Sequence, residues 1–124
     1  MAIVIESSTP PAAAVWKDLP QGEELLEAMR GCVRRGAMLL DQRLPARWAQ
    51  VIEANFYRLD MADQKVCVLG LLFGDYCKGL DLVDTAGNGG PYYGFDVPSY
   101  AEDFYPDLTQ MWKDVVTNRL QANG

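Results

Sequence analysis

Histidine is absent from the 124 residues, cysteine occurs only three times, and the longest strongly apolar run, Val66 to Phe73, is only eight residues long. Without histidine the chain lacks the commonest general base and the usual partner of a serine or cysteine nucleophile. Cys32, Cys67 and Cys77 are odd in number and form no CxxC pair, which argues against a disulfide framework and a zinc site. The apolar run falls far short of the roughly 20 residues needed to span a bilayer. Ala2 to Ile5 is the sole apolar stretch at the N-terminus and no basic residue precedes it, so no signal peptide is predicted. These absences lead to the expectation of a cytoplasmic protein with no membrane partner, no cofactor and no metal.

What is present points to an all-α protein. An apolar content of 49% over this length suffices for one core without staples. Residues 1–20 read as an N-terminal arm and residues 21–124 as a single helical domain, a compact bundle of four to five helices. Pro10, Pro11 and three alanines make residues 6 to 14 an extended or poorly ordered arm by expectation. Ala2 to Ile5 is apolar enough for a short strand, and Val15, Trp16 and Leu19 read as an anchor onto the core.

The longest helical pattern is Gly22 to Leu44, where Leu25, Leu26, Met29, Cys32, Val33, Ala37, Leu40 and Leu44 recur at three and four. Its glutamates come first and its arginines later, as the helix dipole favours. Pro45 ends it and opens a second helix, Ala46 to Ala54, with Trp48, Val51 and Ile52 as its buried face. Asp60 to Val83 reads as one central buried helix, capped by Asp60 or Asp63 and ending at Gly79. Gly70 and Gly74, four apart on one face, predict a close crossing, with the Gly22 to Leu44 helix as the partner; the same face leaves self-association open. Thr85 to Pro91 is a loop by its three glycines, asparagine and proline. Ser99 and Glu102 fit a capping box. A last helix from Pro106 or Asp107 carries Leu108, Met111, Trp112, Val115, Val116 and Leu120 and frays after Leu120.

From Met38 to Pro45, through Leu59 to Val83, to Tyr92–Asp96 and Leu108–Leu120, the chain resembles a group of small uncharacterised proteins encoded by actinobacteria and their phages. Cys67–Gly70 followed by Gly74–Tyr76 carries most of the likeness, while Leu71 stands where the group usually has a polar residue. The resemblance brings no activity; what it implies is a phage-encoded factor whose target is a host or defence component.

Charge is uneven. Residues 75–107 carry seven acidic residues against Lys78 alone, a net of −6 equal to that of the whole chain, whereas residues 30–47 carry five arginines against Asp41. The acidic, aromatic stretch is the candidate binding surface, with Asp75, Asp81, Asp84, Tyr92, Tyr93 and Asp96 as its candidate residues. A calcium loop counted from Asp84 has Gly89 at the sixth position but Phe95 at the twelfth, where the bidentate glutamate belongs. The five arginines follow no nucleic-acid-binding motif, and a pI near 4.5 favours a solvated helix face. The leading reading is a non-catalytic protein-binding module, with an immunity protein or antitoxin against a basic enzyme as one form. The rival reading is a small enzyme or ligand-binding protein built on Asp75, Tyr76, Asp81, Tyr92, Tyr93 and Asp96 around a pocket.

Overall fold

In a computed structural model that describes residues 23–45 and 47–123, every regular element is helical. Five α-helices run in order: α1 (Glu23–Arg43), α2 (Trp48–Ala54), α3 (Val68–Phe73), α4 (Tyr76–Val83) and α5 (Tyr105–Asn123), with 3₁₀ turns at Gly90–Tyr93 and Ser99–Phe104. No strand occurs among the described residues. The expected N-terminal arm, its short strand and its Val15, Trp16, Leu19 anchor lie outside them. No described helix is long and apolar enough to cross a membrane.

α1 follows its sequence pattern, except that Leu26 and Leu44 at the edges of the expected face are only half-buried. Leu25, Met29, Cys32, Val33, Gly36, Ala37 and Leu40 are buried, and the Glu27–Arg30 pair forms at 3.0 Å on the exposed side. α1 packs on the Gly90–Tyr93 turn and on α5, and α5 also holds α2. The core centres on Trp112 of α5, which is fully buried. Its ring stacks on Phe95 with centroids 5.6 Å apart, and Trp48 of α2 meets it edge-on at 6.4 Å. α2 turns Trp48, Ala49 and Ile52 inward, whereas Val51, expected on that face, is 42% exposed.

The Asp60 to Val83 stretch is not one helix. Asp60 and Asp63 accept the amides of Ala62 and Lys65, each two residues on. Such Asx turns compete with helix formation, and residues 60–66 remain a series of turns. Helix begins only at Val68, with the Cys67 thiol as the cap that accepts the Gly70 amide at 3.3 Å. It stops at Gly74, which adopts a left-handed φ of 94°, a conformation that glycine enters without steric cost. Asp75 then caps α4 by accepting the Lys78 amide. A Gly-Asp pair thus ends one short helix and starts the next, and Gly79 lies inside α4 instead of closing a helix.

The glycines therefore serve other contacts than a helix crossing. A Cβ on Gly70 would lie 2.5 Å from the Gln64 carbonyl and the Lys65 carbonyl carbon, so the preceding turn, not α1, rests there. Around Gly74 no atom lies within 4 Å of an added Cβ. The close approach to α1 is at Gly36, where a Cβ would collide with the Tyr93 carbonyl and come within 3.1 Å of the Trp112 ring. Gly94 answers it from the other side: φ is +71° and an added Cβ would sit 2.7 Å from the Val33 amide. At the C-terminal end, Ser99 begins its 3₁₀ turn without a side-chain cap bond, so the expected capping box does not form. α5 continues helical to Asn123 instead of fraying after Leu120.

Alanine substitutions separate these roles. Gly36→Ala should cost about 3 kcal/mol, the upper part of the overpacking range, because a backbone carbonyl cannot swing aside. Gly74→Ala and Gly74→Leu should cost about the same as each other, roughly 1 to 2 kcal/mol, since the penalty lies in the left-handed backbone and not in space. Urea midpoints of the three variants measure this; a much larger loss for Gly74→Leu than for Gly74→Ala would mean that a neighbour crowds that position.

Candidate functional site

The acidic, aromatic stretch does not gather into one pocket. Its members divide into those that hold the loop in place and those that face solvent. Asp84 ends α4, and its carboxylate accepts the amides of Asn88 and Gly89 at 3.0 and 2.8 Å. Asn88 in turn donates its side-chain amide to the Tyr93 hydroxyl at 2.9 Å. Gly87, Gly89 and Gly94 take positive φ around this loop. The Tyr93 ring is buried, with Tyr92 edge-on to it at 5.0 Å and Phe95 tilted beside it at 5.9 Å.

Arg35 clamps the loop from α1. Its Nε donates to the Tyr92 carbonyl at 3.0 Å, Nη2 reaches the Cys32 sulfur at 3.2 Å, and the guanidinium lies 4.2 Å from the centre of the Tyr92 ring. A partly desolvated cation over an aromatic face is stabilising, so this arginine is committed to the fold. Arg43 donates to the Thr85 hydroxyl at 2.6 Å, while Arg30 and Arg34 share Glu27. The basic stretch thus touches the acidic one through a backbone carbonyl, a ring and a hydroxyl, and never through a carboxylate among the described residues.

Two of the six residues of the pocket reading, Tyr76 and Asp96, do meet, and they are joined by Tyr105, which the sequence reading passed over. Asp96 Oδ1 accepts the Tyr105 hydroxyl at 2.6 Å and the Val97 amide at 2.8 Å. The Tyr76 phenol lines the same cavity as Asp96, close enough to feel the Asp96 charge. Gly90 makes that reach possible, because any Cβ there would strike the Tyr76 hydroxyl. That cavity, of about 60 Å³, is lined also by Gln64, Cys67 and Phe95. Burial, then the nearby Asp96 carboxylate, pushes the Tyr76 phenol well above its ordinary range, and burial followed by the Asp96 hydrogen bond does the same for Tyr105. Both phenols therefore hold their protons and do not act as bases, and Tyr105 donates its own to the carboxylate. Burial raises Cys67 too, with amide hydrogen bonds from Gly70 and Leu69 opposing it, and a protonated buried thiol is a poor nucleophile. Cys77, expected inside a buried helix, is exposed on α4.

The other four residues of the pocket reading, and Asp84 of the candidate binding surface, stand apart from this cavity. Asp75 caps α4 and pairs with Lys65 at 3.7 Å. Tyr92 lies under Arg35, Tyr93 is core, and Asp84 holds its loop. Asp81 is exposed, beside Leu82, which is 56% exposed. Among the described residues no three histidine, cysteine, aspartate or glutamate side chains gather as metal ligands would.

The phenol–carboxylate cluster has a measurable signature. Asp96→Asn weakens two charge-assisted bonds and should cost about 2 kcal/mol. Because the folded phenols hold their protons more tightly than unfolded tyrosine, their contribution is fully present below about pH 10 and is lost as pH rises beyond it. Urea midpoints followed from neutral to alkaline pH should fall in that range for the parent chain and less steeply for Asp96→Asn, in which the carboxylate's part of the shift is gone and only burial remains.

No family model, no curated protein and no solved structure matches the chain, so a functional reading has to come from this geometry.

Proposed function

We propose that the chain is a non-catalytic protein-binding module that engages a basic partner through carboxylates of the segment 75–107. The observation that carries this reading is the division among those carboxylates. Asp75, Asp84 and Asp96 are committed to internal bonds. Asp81, Glu102, Asp103 and Asp107 are exposed and make no salt bridge with any described residue. A concentration of unpaired charge of one sign steers association with an oppositely charged surface and disfavours like-charged partners. Leu82 adds an exposed apolar contact next to Asp81, and an apolar anchor supplies the affinity that rim charges do not.

A catalytic role finds less support. The Asp96 cavity, at about 60 Å³, is far below the roughly 300 to 1,000 Å³ of ordinary small-molecule sites. Its carboxylate already accepts the Tyr105 phenol and a backbone amide, and its thiol is buried and protonated. The resemblance to actinobacterial and phage proteins makes a host or defence component the partner class we propose, with a basic enzyme neutralised by an immunity protein or antitoxin as one form of the same interaction.

Affinity capture from host lysate at low salt tests the reading. The parent chain should retain one specific basic protein, and raising the salt should weaken the complex. The triple variant Asp81→Lys, Glu102→Lys, Asp103→Lys should lose that protein while keeping its urea midpoint within about 0.5 kcal/mol of the parent, as surface substitutions do. Failure of the parent chain to retain any specific partner at low salt would overturn the proposal.

A further inference from the structure

Among the described residues four large apolar side chains are exposed: Met38, Val51, Tyr57 and Leu82. Two of these, Met38 and Leu82, stand in surroundings of opposite charge. Met38, 57% exposed, sits in a shallow groove of about 280 Å³ between α1 and the glycine-rich loop, lined also by Arg35, Leu39, Gln42, Asn88 and Tyr92. The stretch 34–43 of α1 carries Arg34, Arg35 and Arg43 against Asp41, a net of +2. Arg35 and Arg43 bond to a carbonyl, a thiol and a hydroxyl, and neither forms a salt bridge with any described residue. Leu82 lies on α4, where the stretch 75–84 carries Asp75, Asp81 and Asp84 against Lys78, a net of −2. Asp81 beside it is exposed and likewise makes no salt bridge with any described residue.

The groove and the exposed leucine complement one another in polarity and in the sign of their charged flanks. We infer that the chain forms a two-fold dimer in which Leu82 of each copy enters the Met38 groove of the other, with Asp81 beside Arg35 and Arg43. Space is sufficient: a cavity of roughly 150 Å³ accommodates benzene, so a groove of about 280 Å³ has room for a leucine side chain and part of its neighbours. Opposite charges at the rim orient the approach, while the apolar contact at the centre supplies the affinity. Placement favours a closed pair. Arg43, one residue past the groove-lining Gln42, donates to Thr85, which is three residues past Leu82. Groove and leucine therefore lie near the adjoining C-terminal ends of α1 and α4, and a single two-fold rotation satisfies both contacts, as an isologous interface requires. Such a dimer withdraws Asp81 and Leu82 from solvent, so self-association competes with capture of a basic partner; that consequence alone rests on the function proposed above.

Sedimentation equilibrium of the purified full chain tests the inference. At low salt the mean mass should rise from that of one chain toward that of two, and no further, as the concentration is raised from micromolar to millimolar. Added salt should lower it, because the rim charges are screened. Met38→Glu puts a carboxylate in the groove, and Leu82→Lys brings an ammonium to the arginines. Each alone should weaken dimerisation at least about tenfold, since a charge placed against apolar surface or like charge is costly. Mixed in equal amounts, the two variants should recover the dimer: Leu82 of the first meets an intact groove on the second, and the introduced lysine faces the introduced glutamate. Both positions are exposed, so the urea midpoints of the variants should match the parent's. A parent that keeps the mass of one chain throughout, a dimer that survives both variants, or a mixture that stays monomeric would overturn the inference. A mass that climbs past two chains would overturn it too, as the mark of an open assembly.

Discussion

Everything else in this fold depends on how closely the backbone of residues 92–94 lies against α1. Gly36 leaves room for the Tyr93 carbonyl, and Gly94, in a left-handed conformation, brings its own Cα up to Val33. With the two chains in contact, Arg35 can donate to the Tyr92 carbonyl and the Trp112 indole to the Gly94 carbonyl at 2.6 Å. Phe95 then falls onto the Trp112 ring, and Trp112 meets Trp48. A methyl group at either glycine would separate the layers before any of these bonds could form. The glycine-rich loop is a structural splice between α1 and α5, and its aromatic residues are largely consumed in making it.

How much of this is legible in the sequence depends on the range of the interaction responsible. α1 and α5 are carried by three- and four-residue periodicity, which is local, and their buried faces are as expected. The α3–α4 break is local too: Gly74 followed by Asp75 is a stop signal beside a start signal. The apolar density of Val66–Phe73 outweighs it in a reading by periodicity. Gly36 and Gly94 are different, because the reason for the first is Tyr93, 57 residues on, and for the second Val33, 61 residues back, and no local pattern distinguishes a glycine under a carbonyl from a weak point in a helix. The Tyr76–Asp96–Tyr105 cluster was half visible; Tyr105 sits immediately before Pro106 at a helix start and carries no local mark of its partner.

Charge behaves in the same way. In sequence, seven acidic residues within 75–107 form one block, but the fold gives them unlike tasks. Asp84 replaces backbone partners for two loop amides, Asp96 anchors the Tyr105 phenol, and Asp75 starts a helix. Asp41, by contrast, accepts Trp48 Nε1 at 2.9 Å and both Nε and Nη2 of Arg119, joining α1, α2 and α5. Burial works to raise the Asp41 carboxyl, but hydrogen bonds from Arg119 and Trp48 together with the Arg119 charge hold it below the usual carboxylate range. Asp41 is the one acid in the basic stretch, and it is spent on structure; the acids left over lie elsewhere.

The three thiols occupy three distinct environments, and this makes the chain its own opening gauge. Cys77 faces solvent on α4, Cys32 is sealed beneath Arg35, and Cys67 caps α3 from inside the core. An alkylating reagent meets one sulfur on the folded protein. Reaction at Cys67 requires α3 to lose its cap, and reaction at Cys32 requires the α1–loop splice to part. Local openings of unequal free energy expose different amides in ordinary proteins; here they would be written as an order of alkylation, outermost helix first and splice last, readable by mass on an unaltered chain.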